Sequence, residues 1–360
     1  MIATAESLSG ETVTLAAPGT IQLQSGQDTM HTITSQTALS AFVGATASLN
    51  VNLQWGVSVT GQLSASHSHM DSQSVTQVDT TVTGAKNVTI DNGAGRTTLD
   101  GARVSGGSVD VTAGNLDITS AQNTASYLST NESAGLSFAV PVYGTGGQMG
   151  FSVNASAGVL YDTYASTEAS GLSGLYAGQG GLDVDIAQNT TLNAGVMEST
   201  AASGNTVTTG SLTAHDEQNK SEYVGTSSSI SYGNLGSGGN TGPEDNNTDA
   251  PRKTFGENRN WSGYAAPIWD INTSTSLSEI GSNITIYANS TSGYLSHDKN
   301  TANQALSNDF NASEAGEILS LTQSFEKSAK NAYDESNSIR QMMNNKTITP
   351  QERIKNDKNQ

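Results

Sequence analysis

One phrase occurs three times along this chain: two alternating apolar residues, a short polar step, and then Gln followed by Asp or Asn. The three glutamines are Gln27, Gln122 and Gln218, so the two intervals are 95 and 96 residues. Self-similarity at a fixed period is the signature of a repeat protein, in which each unit buries apolar surface against its neighbours. The phrase therefore predicts an architecture built from units of that length.

The composition argues against a single deep core. Only 13% of the 360 residues are charged, 34% are apolar and 6% are aromatic, whereas an ordinary globular chain carries about a quarter charged residues. The apolar residues are therefore expected to spread thinly along an elongated element. A net charge of −18 disfavours nucleic acid and anionic membranes as partners. With no cysteine, the chain has no disulfide, thiolate nucleophile or Cys-ligated metal.

Short strands fill much of the sequence between the phrases. They are three to five residues long and separated by Gly or Asn, and Val88 precedes its counterpart Val109 by 21 residues. That spacing fits one coil of a parallel β-helix, whose apolar row is buried only when coils stack. Four asparagines are candidates for a polar ladder along such a stack: Asn92, Asn115, Asn189 and Asn193.

A second pattern follows each phrase. Residues 41–59 alternate strictly between apolar or small and polar side chains, and residues 136–159 repeat this around a Gly-rich turn. Period-2 alternation predicts long, half-buried antiparallel strands paired as β-hairpins. Pro141 predicts that the first strand of the second hairpin lies at a sheet edge.

The pattern fades in the third copy. It begins at about residue 222 and gives way to a Gly-rich, polar stretch over 233–260 that is predicted to be disordered, so the rod is expected to stop there. Ile284 and Ile286 resemble one more coil strand, and from Glu314 to Tyr333 apolar residues recur at helical spacing. The predicted division is a β-helix with hairpins over 1–235, a linker and terminal coil over 236–300, and a helical segment over 301–360.

Three segments in register, 19–29, 114–124 and 210–220, resemble the haemagglutinin repeats of filamentous-haemagglutinin-like exoproteins, with 97–107 and 190–200 as preceding coils. This group includes the stalks of two-partner-secreted adhesins and of contact-dependent growth-inhibition proteins. The resemblance covers about residues 5 to 235. It implies an all-β fold, a right-handed parallel β-helix with antiparallel hairpin excursions, here followed by a helical C-terminal segment.

The resemblance also implies a role. Such proteins are secreted through an outer-membrane transporter of the two-partner type, displayed on the bacterial cell surface, and contact host or neighbouring cells as adhesins or toxin carriers. No cofactor is implied. The N-terminus lacks a secretion signal and the secretion domain of these exoproteins, and Met1 runs almost directly into repeat sequence. The chain is therefore expected to be a fragment of a longer exoprotein.

Two groups of residues are candidates for binding sites. His67 and His69 form a His-x-His pair, which in a strand places both imidazoles on one face and can chelate a divalent metal. A solvated hairpin tip explains the same residues without a metal. Trp261, Tyr264 and Trp269 form an aromatic patch that could anchor a partner, because aromatic residues dominate binding hot spots. Packing against the end of the rod explains it equally well.

The sequence favours a non-catalytic protein. It contains no G-x-S-x-G elbow, and its Gly-rich run near 233–242 lacks the Lys-Ser/Thr ending of a nucleotide-binding loop. The alternative is a carbohydrate-active β-helix enzyme, such as a polysaccharide lyase or a tailspike-like hydrolase, which would need carboxylates converging in a cleft. The available carboxylates are predicted to lie on outward strand positions, where solubility explains them: Asp91, Asp100, Asp110, Asp117, Asp183 and Asp185.

Overall fold

A computed structural model describes residues 1–49, 55–144, 150–233 and 260–319. The strands are β1 Ile2–Thr4, β2 Ser7–Ala16, β3 Thr20–Gln24, β4 Gly26–Leu49, β5 Trp55–Val78, β6 Thr80–Asp91, β7 Arg96–Asp100, β8 Ala102–Thr119, β9 Gln122–Gly144, β10 Gly150–Thr167, β11 Gly174–Asn193, β12 Val196–Ser199, β13 Thr206–His215, β14 Glu217–Gly233, β15 Asn260–Ser276, β16 Glu279–Ile280 and β17 Thr285–Ser292. Helix α1 is Lys299–Ala302, and α2 covers 312–319. None of the helices in these ranges is long and apolar enough to span a membrane.

The short strands stack as parallel coils, so that three ladders run along the chain. The first ladder joins β2, β6, β8, β11, β12 and β16 through their early residues. The second ladder joins later parts of β2, β6, β8 and β11 to the starts of β13 and β17. The third ladder joins the whole of β1, β3 and β7 to the ends of β8, β11, β13 and β17. This confirms an all-β chain with parallel pairing.

The interior of the stack is a set of apolar rows. Val88 pairs with Val109, as their spacing of 21 residues predicts, and one row of the second ladder runs from Leu15 to Ile286. Its members pair in succession: Leu15, Ile90, Val111, Val184, Val207 and Ile286. All but Ile286 are buried. Each fully buried aliphatic side chain contributes roughly 1.5 to 3 kcal/mol, and the inner members of the row gain it because a coil lies on either side of them.

The corner after the third ladder has a left-handed backbone wherever one coil passes directly to the next. Four residues that directly follow third-ladder strands have positive φ: Ala5 at 51°, Gly101 at 62°, Ala194 at 46° and Gly293 at 86°. Glycine adopts this conformation freely, whereas an L-residue such as alanine pays roughly 1 to 2 kcal/mol. The conformation therefore recurs at the corners where one coil passes directly to the next, whether or not the sequence supplies glycine there, and not at Ser25, Ser120 and Asp216, which lead into the hairpins.

The predicted asparagine ladder is present in part. The Asn189 Nδ2 donates to Asn115 Oδ1 at 3.1 Å, and Ser211 Oγ donates to Asn189 Oδ1 at 2.6 Å. Asn193 donates instead to Thr119 Oγ1, and the buried Asn92 donates to the carbonyl oxygen of Gly19. Only Asn115 and Asn189 therefore stack as a pair.

The long strands form three hairpins that lie side by side in one antiparallel sheet. The hairpins are β4/β5, β9/β10 and β14/β15, and the strand order is β15-β14-β10-β9-β5-β4. Hairpins were predicted, but their union into one six-stranded sheet was not.

The expected loss of the third hairpin is wrong. Residues Glu217–Gly233 pair with Asn260–Ser276 without interruption. The rod also continues beyond residue 235, because β16 and β17 stack on β12 and β13, which confirms the coil strand predicted at Ile284 and Ile286. The polar residues 234–259, on which the predicted disorder falls, lie outside the described residues.

The prediction from Pro141 is also wrong. Strand β9 is an interior strand, paired with β5 on one side and β10 on the other. Pro141 lies opposite Ser58, where the register between β5 and β9 shifts. A bulge tolerates proline because the regular ladder of hydrogen bonds is already interrupted there.

The C-terminal part is only partly helical. Residues 312–319 are helical, whereas 303–311 are not, and 320–360, where most of the predicted helical segment falls, are outside the described residues. Residues 303–319, here called the strap, run against the base of the hairpin sheet. Asn303 Nδ2 donates to the Glu168 carbonyl at 2.9 Å, and the Leu306 amide donates to Ser166 Oγ at 2.8 Å.

Candidate functional site

The repeated phrase stands where each hairpin leaves the coils. Gln27, Gln122 and Gln218 are at or next to the first residues of β4, β9 and β14. Their side chains and those opposite tie neighbouring hairpins: Gln77 Nε2 donates to the Gln122 carbonyl at 3.2 Å, and Gln122 Nε2 donates to the Gln218 carbonyl at 2.8 Å. The glutamine thus links one hairpin base to the next.

The residue after the glutamine forms a hydrogen bond across the seam, the name used here for the pairing of two neighbouring hairpins, β5 with β9 and β10 with β14. Asn123 Oδ1 accepts the Gln77 amide hydrogen at 2.7 Å, and Asn219 Oδ1 accepts the Thr167 amide hydrogen at 2.9 Å. Both donors lie two residues beyond the last backbone pair of their seam, Val75 with Thr124 and Ala165 with Lys220. The asparagine side chain therefore extends the ladder after the backbones have diverged. Sequence reasoning found the phrase and missed this role.

Asn219 is the centre of a buried polar cluster at the third hairpin. It is 1% exposed, and its Nδ2 donates to Ser276 Oγ at 2.9 Å and to the carbonyl of Gln304 at 3.0 Å. The Thr167 and Ser276 hydroxyls are 2.7 Å apart. One side chain thus joins two hairpins and the strap.

The hairpin sheet has one face rich in exposed apolar residues, here called the apolar face. Leu63, Leu136 and Val153 lie in one cross-strand row, and paired residues of an antiparallel sheet share a face. Each is more than 40% exposed. The face was predicted to be half-buried; in the described residues it lies open to solvent along much of its extent. Apolar patches of this kind mark interaction surfaces.

The opposite face, here called the strap face, is covered at its base. Tyr127, Asp162 and Tyr223 form one row across β9, β10 and β14. The ring of Phe310 in the strap lies 5.3 Å from that of Tyr127 and 5.9 Å from that of Tyr223, so it crosses the row that Asp162 occupies. The Tyr164 hydroxyl donates to the Leu306 carbonyl at 2.8 Å.

Asp162 is a buried acid within this aromatic row. It is 2% exposed, and its Oδ1 has no hydrogen-bond partner among the described residues. Burial removes water from the carboxylate and raises the pKa of Asp162 to about 6. Nothing in the alternating pattern distinguishes it from the solvated polar residues of the strand.

A charged cluster joins the exits of the first two hairpins. Arg103 Nε lies 3.1 Å from Asp79 Oδ2, and its Nη2 lies 3.6 Å from Glu168 Oε2. Arg103 also donates to the carbonyl and hydroxyl of Ser170. Desolvation raises the pKa of both Asp79 and Glu168, against the lowering effect of Arg103. Residues from three separate segments therefore meet at one guanidinium.

The histidine pair lies in the middle of a strand, not at a hairpin tip. His67 and His69 are on β5 and share the apolar face, with His67 exposed and His69 half-buried. His67 Nδ1 is 2.9 Å from Thr37 Oγ1. The nearby Asp71 pairs with His31 Nε2 at 2.8 Å. A group of three or more metal-type ligands is not formed within the described residues, and the metal site stays a hypothesis.

The aromatic candidates lie on β15, the return strand of the third hairpin. In the backbone register Trp261, Tyr264 and Trp269 oppose Tyr232, Ser229 and Val224. By register Trp269 lies on the apolar face, and it is 66% exposed. The three positions are spread along one edge strand, and their role in binding a partner stays a prediction.

The acidic candidates lie on outer strand positions. Asp110 and Asp183 are neighbours on the second ladder. Asp110 Oδ2 accepts from Asn87 Nδ2 at 2.7 Å, and Asp183 Oδ1 accepts from Thr206 Oγ1 at 2.6 Å. A depression of about 680 Å³ between residues 16–19 and 91–95 contains Asp91 as its single carboxylate.

Comparison with known proteins identifies a repeat family and relatives to which this chain is similar. Residues 2–134 match the family model described as hemagglutinin repeat. The tRNA nuclease CdiA of Yersinia mollaretii is 30% identical over 253 residues, which cover 69% of this chain and 8% of that protein. The 16S rRNA endonuclease CdiA of Enterobacter cloacae is 32% identical over 258 residues, 67% of this chain and 8% of that protein. Toxin CdiA of Escherichia coli is 31% identical over 62% of this chain and 7% of its own length.

No solved structure matches the chain. The matched region spans less than a tenth of the length of these relatives. The chain therefore contains a haemagglutinin repeat region of the filamentous-haemagglutinin type, similar to part of the CdiA proteins.

Proposed function

We propose that this chain is a non-catalytic segment of a secreted exoprotein on the bacterial cell surface, a rod that mediates contact with another cell. The rod serves either adhesion or the delivery of a toxin carried elsewhere on such a protein. The similarity to CdiA proteins supports this proposal. Its full-length form would use an outer-membrane transporter of the two-partner type.

We also propose that the coils form a right-handed parallel β-helix, because crossovers between parallel strands are right-handed in nearly all proteins. The division at residues 235 and 300 stays a prediction. The pairing of β14 with β15, and of β17 with β13, supports a rod that includes the described residues 260–292.

The apolar face is the surface that we expect to meet the other cell. It presents aliphatic and aromatic side chains in rows rather than singly, and desolvating such rows supplies roughly 25 cal/mol per Å² of apolar area buried. Leu63, Leu136 and Val153 form one such row. The observation that carries the proposal is this open face on a repeat rod similar to CdiA proteins.

The test is binding of the purified chain to bacterial and epithelial cells. A triple variant, L63S with L136S and V153S, should reduce binding at least tenfold. The matched control replaces the serines of the neighbouring row on the strap face, Ser64 and Ser231, with threonine and should bind normally. Circular dichroism checks that all proteins are folded. Equal binding by both variants would overturn the assignment of the apolar face.

A polysaccharide-degradation screen tests the alternative, a carbohydrate-active enzyme. Activity that is abolished by D110N with D183N, in a chain that binds no cell, would replace the proposed function. We expect no degradation, because both carboxylates already accept hydrogen bonds from the neighbouring coil.

A further inference from the structure

Strand β4 is an open edge of the hairpin sheet. It pairs with β5 along its full length, Gly26–Leu49, and with no other strand of the described residues. An edge strand presents a row of unpaired N–H and C=O groups that can pair with another strand. Three apolar side chains on this strand are strongly exposed: Ile33 at 59%, Leu39 at 74% and Val43 at 73%.

The two edges of the sheet are built differently. Proteins usually protect an edge with proline, lysine or other charged residues; β4 contains no Pro, Lys, Arg or Glu, and its one acid, Asp28, lies at its base. At the opposite edge, β15 contains Pro267 and Asp270. The base of β15 is also bonded to the strap, where Ser274 Oγ donates to the Gln304 carbonyl. The β15 edge is therefore protected against further pairing, whereas the β4 edge can still pair with another strand.

Both seams inside the sheet follow one rule. The return strand of one hairpin pairs antiparallel with the outgoing strand of the next, as β5 with β9 and β10 with β14. In both, the amide two residues beyond the last pair donates to the Asn after the phrase glutamine. Strand β4 is an outgoing strand that begins with the same phrase, Gln27-Asp28.

Asp28 occupies the position of Asn123 and Asn219 in that phrase. It is exposed and has no partner among the described residues. An ionised carboxylate accepts hydrogen bonds from backbone amides, as a carboxamide oxygen does. Strand β4 therefore carries the side-chain acceptor of a seam at Asp28, but no backbone amide of a neighbouring hairpin among the described residues donates to it.

We propose that the free edge of β4 is the docking site for the return strand of another hairpin of this repeat, carried by a neighbouring unit of the same rod. The incoming strand pairs antiparallel with β4, and its residue opposite Gln27 donates its amide hydrogen to Asp28. Its side chains cover Ile33, Leu39 and Val43. The inference rests on the proposed role as a rod segment and names the partner of one edge.

A tandem extension of the full chain supplies that partner. Ala5 and Ala194 occupy equivalent positive-φ corners. A second copy of residues 79–194 can therefore be joined in front of residue 6 in place of residues 1–5, so that the copied Ala194 takes the position of Ala5 and the coils stay in register. The copied β10 then meets β4. Hydrogen exchange of the β4 amides that point away from β5 is measured in the extended and unaltered proteins. We expect exchange to slow at least tenfold on extension.

Variants at Asp28 test this side-chain acceptor in the extended protein. D28A should restore fast exchange at the copied Thr167 amide, whereas D28N, which resembles the other two seams, should keep it slow. Unchanged β4 exchange in a folded extended protein would overturn the proposal. A folded extended protein that still fails to protect β4 leaves the cell-contact role untouched, since cell binding by the unaltered chain reports on that role separately.

A second measurement covers the case in which the extended protein does not fold. A synthetic peptide of residues 150–167 is added in excess to the unaltered full chain, and the same β4 amides are followed. The control peptide carries N-methyl groups on alternate residues and cannot pair. Protection by the first peptide alone supports the proposal. Equal exchange with both peptides contradicts it, as does sedimentation that shows a dimer of the unaltered chain with β4 already protected, because the occupant would then be a second copy.

Discussion

The side-chain oxygen of Asn219 lies 2.9 Å from the backbone nitrogen of Thr167, on a neighbouring hairpin 52 residues earlier in the chain. The same relation joins Asn123 to Gln77. A side chain that takes over the ladder where two backbones part fixes the register of the whole seam above it. The phrase that marks the period of the sequence therefore also sets how neighbouring hairpins align.

Replacing Asn219 by alanine should destabilise the third hairpin. The buried Thr167 amide would lose its acceptor, and leaving such a group unsatisfied costs about 1 to 3 kcal/mol. Urea unfolding measures the loss, and hydrogen exchange at Thr167 localises it. Asp28→Ala is the control, because Asp28 is exposed and unpaired in the described residues and should change stability by about 0.5 kcal/mol or less. Similar losses for both variants would show that the seam contact is not the cause.

Replacing Arg103 by methionine should destabilise the exits of the first two hairpins. The partly buried carboxylates of Asp79 and Glu168 would lose their cation, and since the Arg103 side chain is 26% exposed we expect a loss of about 1 to 3 kcal/mol, less than for a fully buried pair. Thermal unfolding of R103M checks this. The double variant R103M with D79N should recover part of the loss, since it removes one uncompensated charge. No recovery would point to lost packing of the arginine side chain.

The stability of the strap should depend on pH through Asp162. Its folded pKa of about 6 lies above the ordinary value of 3.8, so between these values the folded chain binds a proton that the unfolded chain has released. The contribution is complete below the ordinary value and is lost as pH rises through about 6. Unfolding midpoints from pH 4 to 7.5 should fall for the wild type and change less for D162N. Parallel profiles for the two proteins would exclude this residue as the source.

The positive-φ corner predicts opposite effects for two substitutions. Ala5→Gly relieves left-handed strain at an exposed site and should stabilise the chain by about 0.5 kcal/mol. Gly101→Ala should destabilise it by about 2 kcal/mol or more, because the new methyl group would lie 2.5 Å from Ser25 Cβ at a φ of 62°. Chemical denaturation measures both. A destabilised A5G would mean that the added freedom of glycine in the unfolded chain outweighs the relief of strain at Ala5.

Much of the coil stack could be predicted from the sequence, because its rules are local and periodic. The pairing of Val88 with Val109 follows from a 21-residue spacing, and the contact of Asn115 with Asn189 follows from equivalent corners. The alternation of apolar and polar residues likewise predicts the first two hairpins and the start of the third, where the pattern fades. In β15 the run Ala265-Ala266-Pro267 hides the alternation, although the strand pairs with β14 throughout.

The union of hairpins could not be predicted, since the partners in a seam lie far apart in sequence and meet only because the coils carry them there. Pro141 shows the same limit: local rules place proline on an edge strand, whereas β9 is an interior strand, with Pro141 at a register shift opposite Ser58 and beyond the last described pair with β10, Ala139 with Gly150. In the sequence Asp162 looks like the other polar residues of the alternating pattern. Its burial could not be predicted, because it depends on Phe310, which is distant in sequence and covers its row.

In each repeat unit, the stack of coils and the sheet of hairpins lengthen by the same distance along the rod. One repeat of the phrase adds two coils to the stack, as β7 and β8 do between the first two hairpins, and it adds the two strands of one hairpin to the sheet. Both kinds of pairing place neighbours about 4.8 Å apart, so each unit lengthens both sheets by about 9.6 Å. This commensurate growth explains why a hairpin follows every second coil: a hairpin on every coil, or on every third, would force the two sheets out of step.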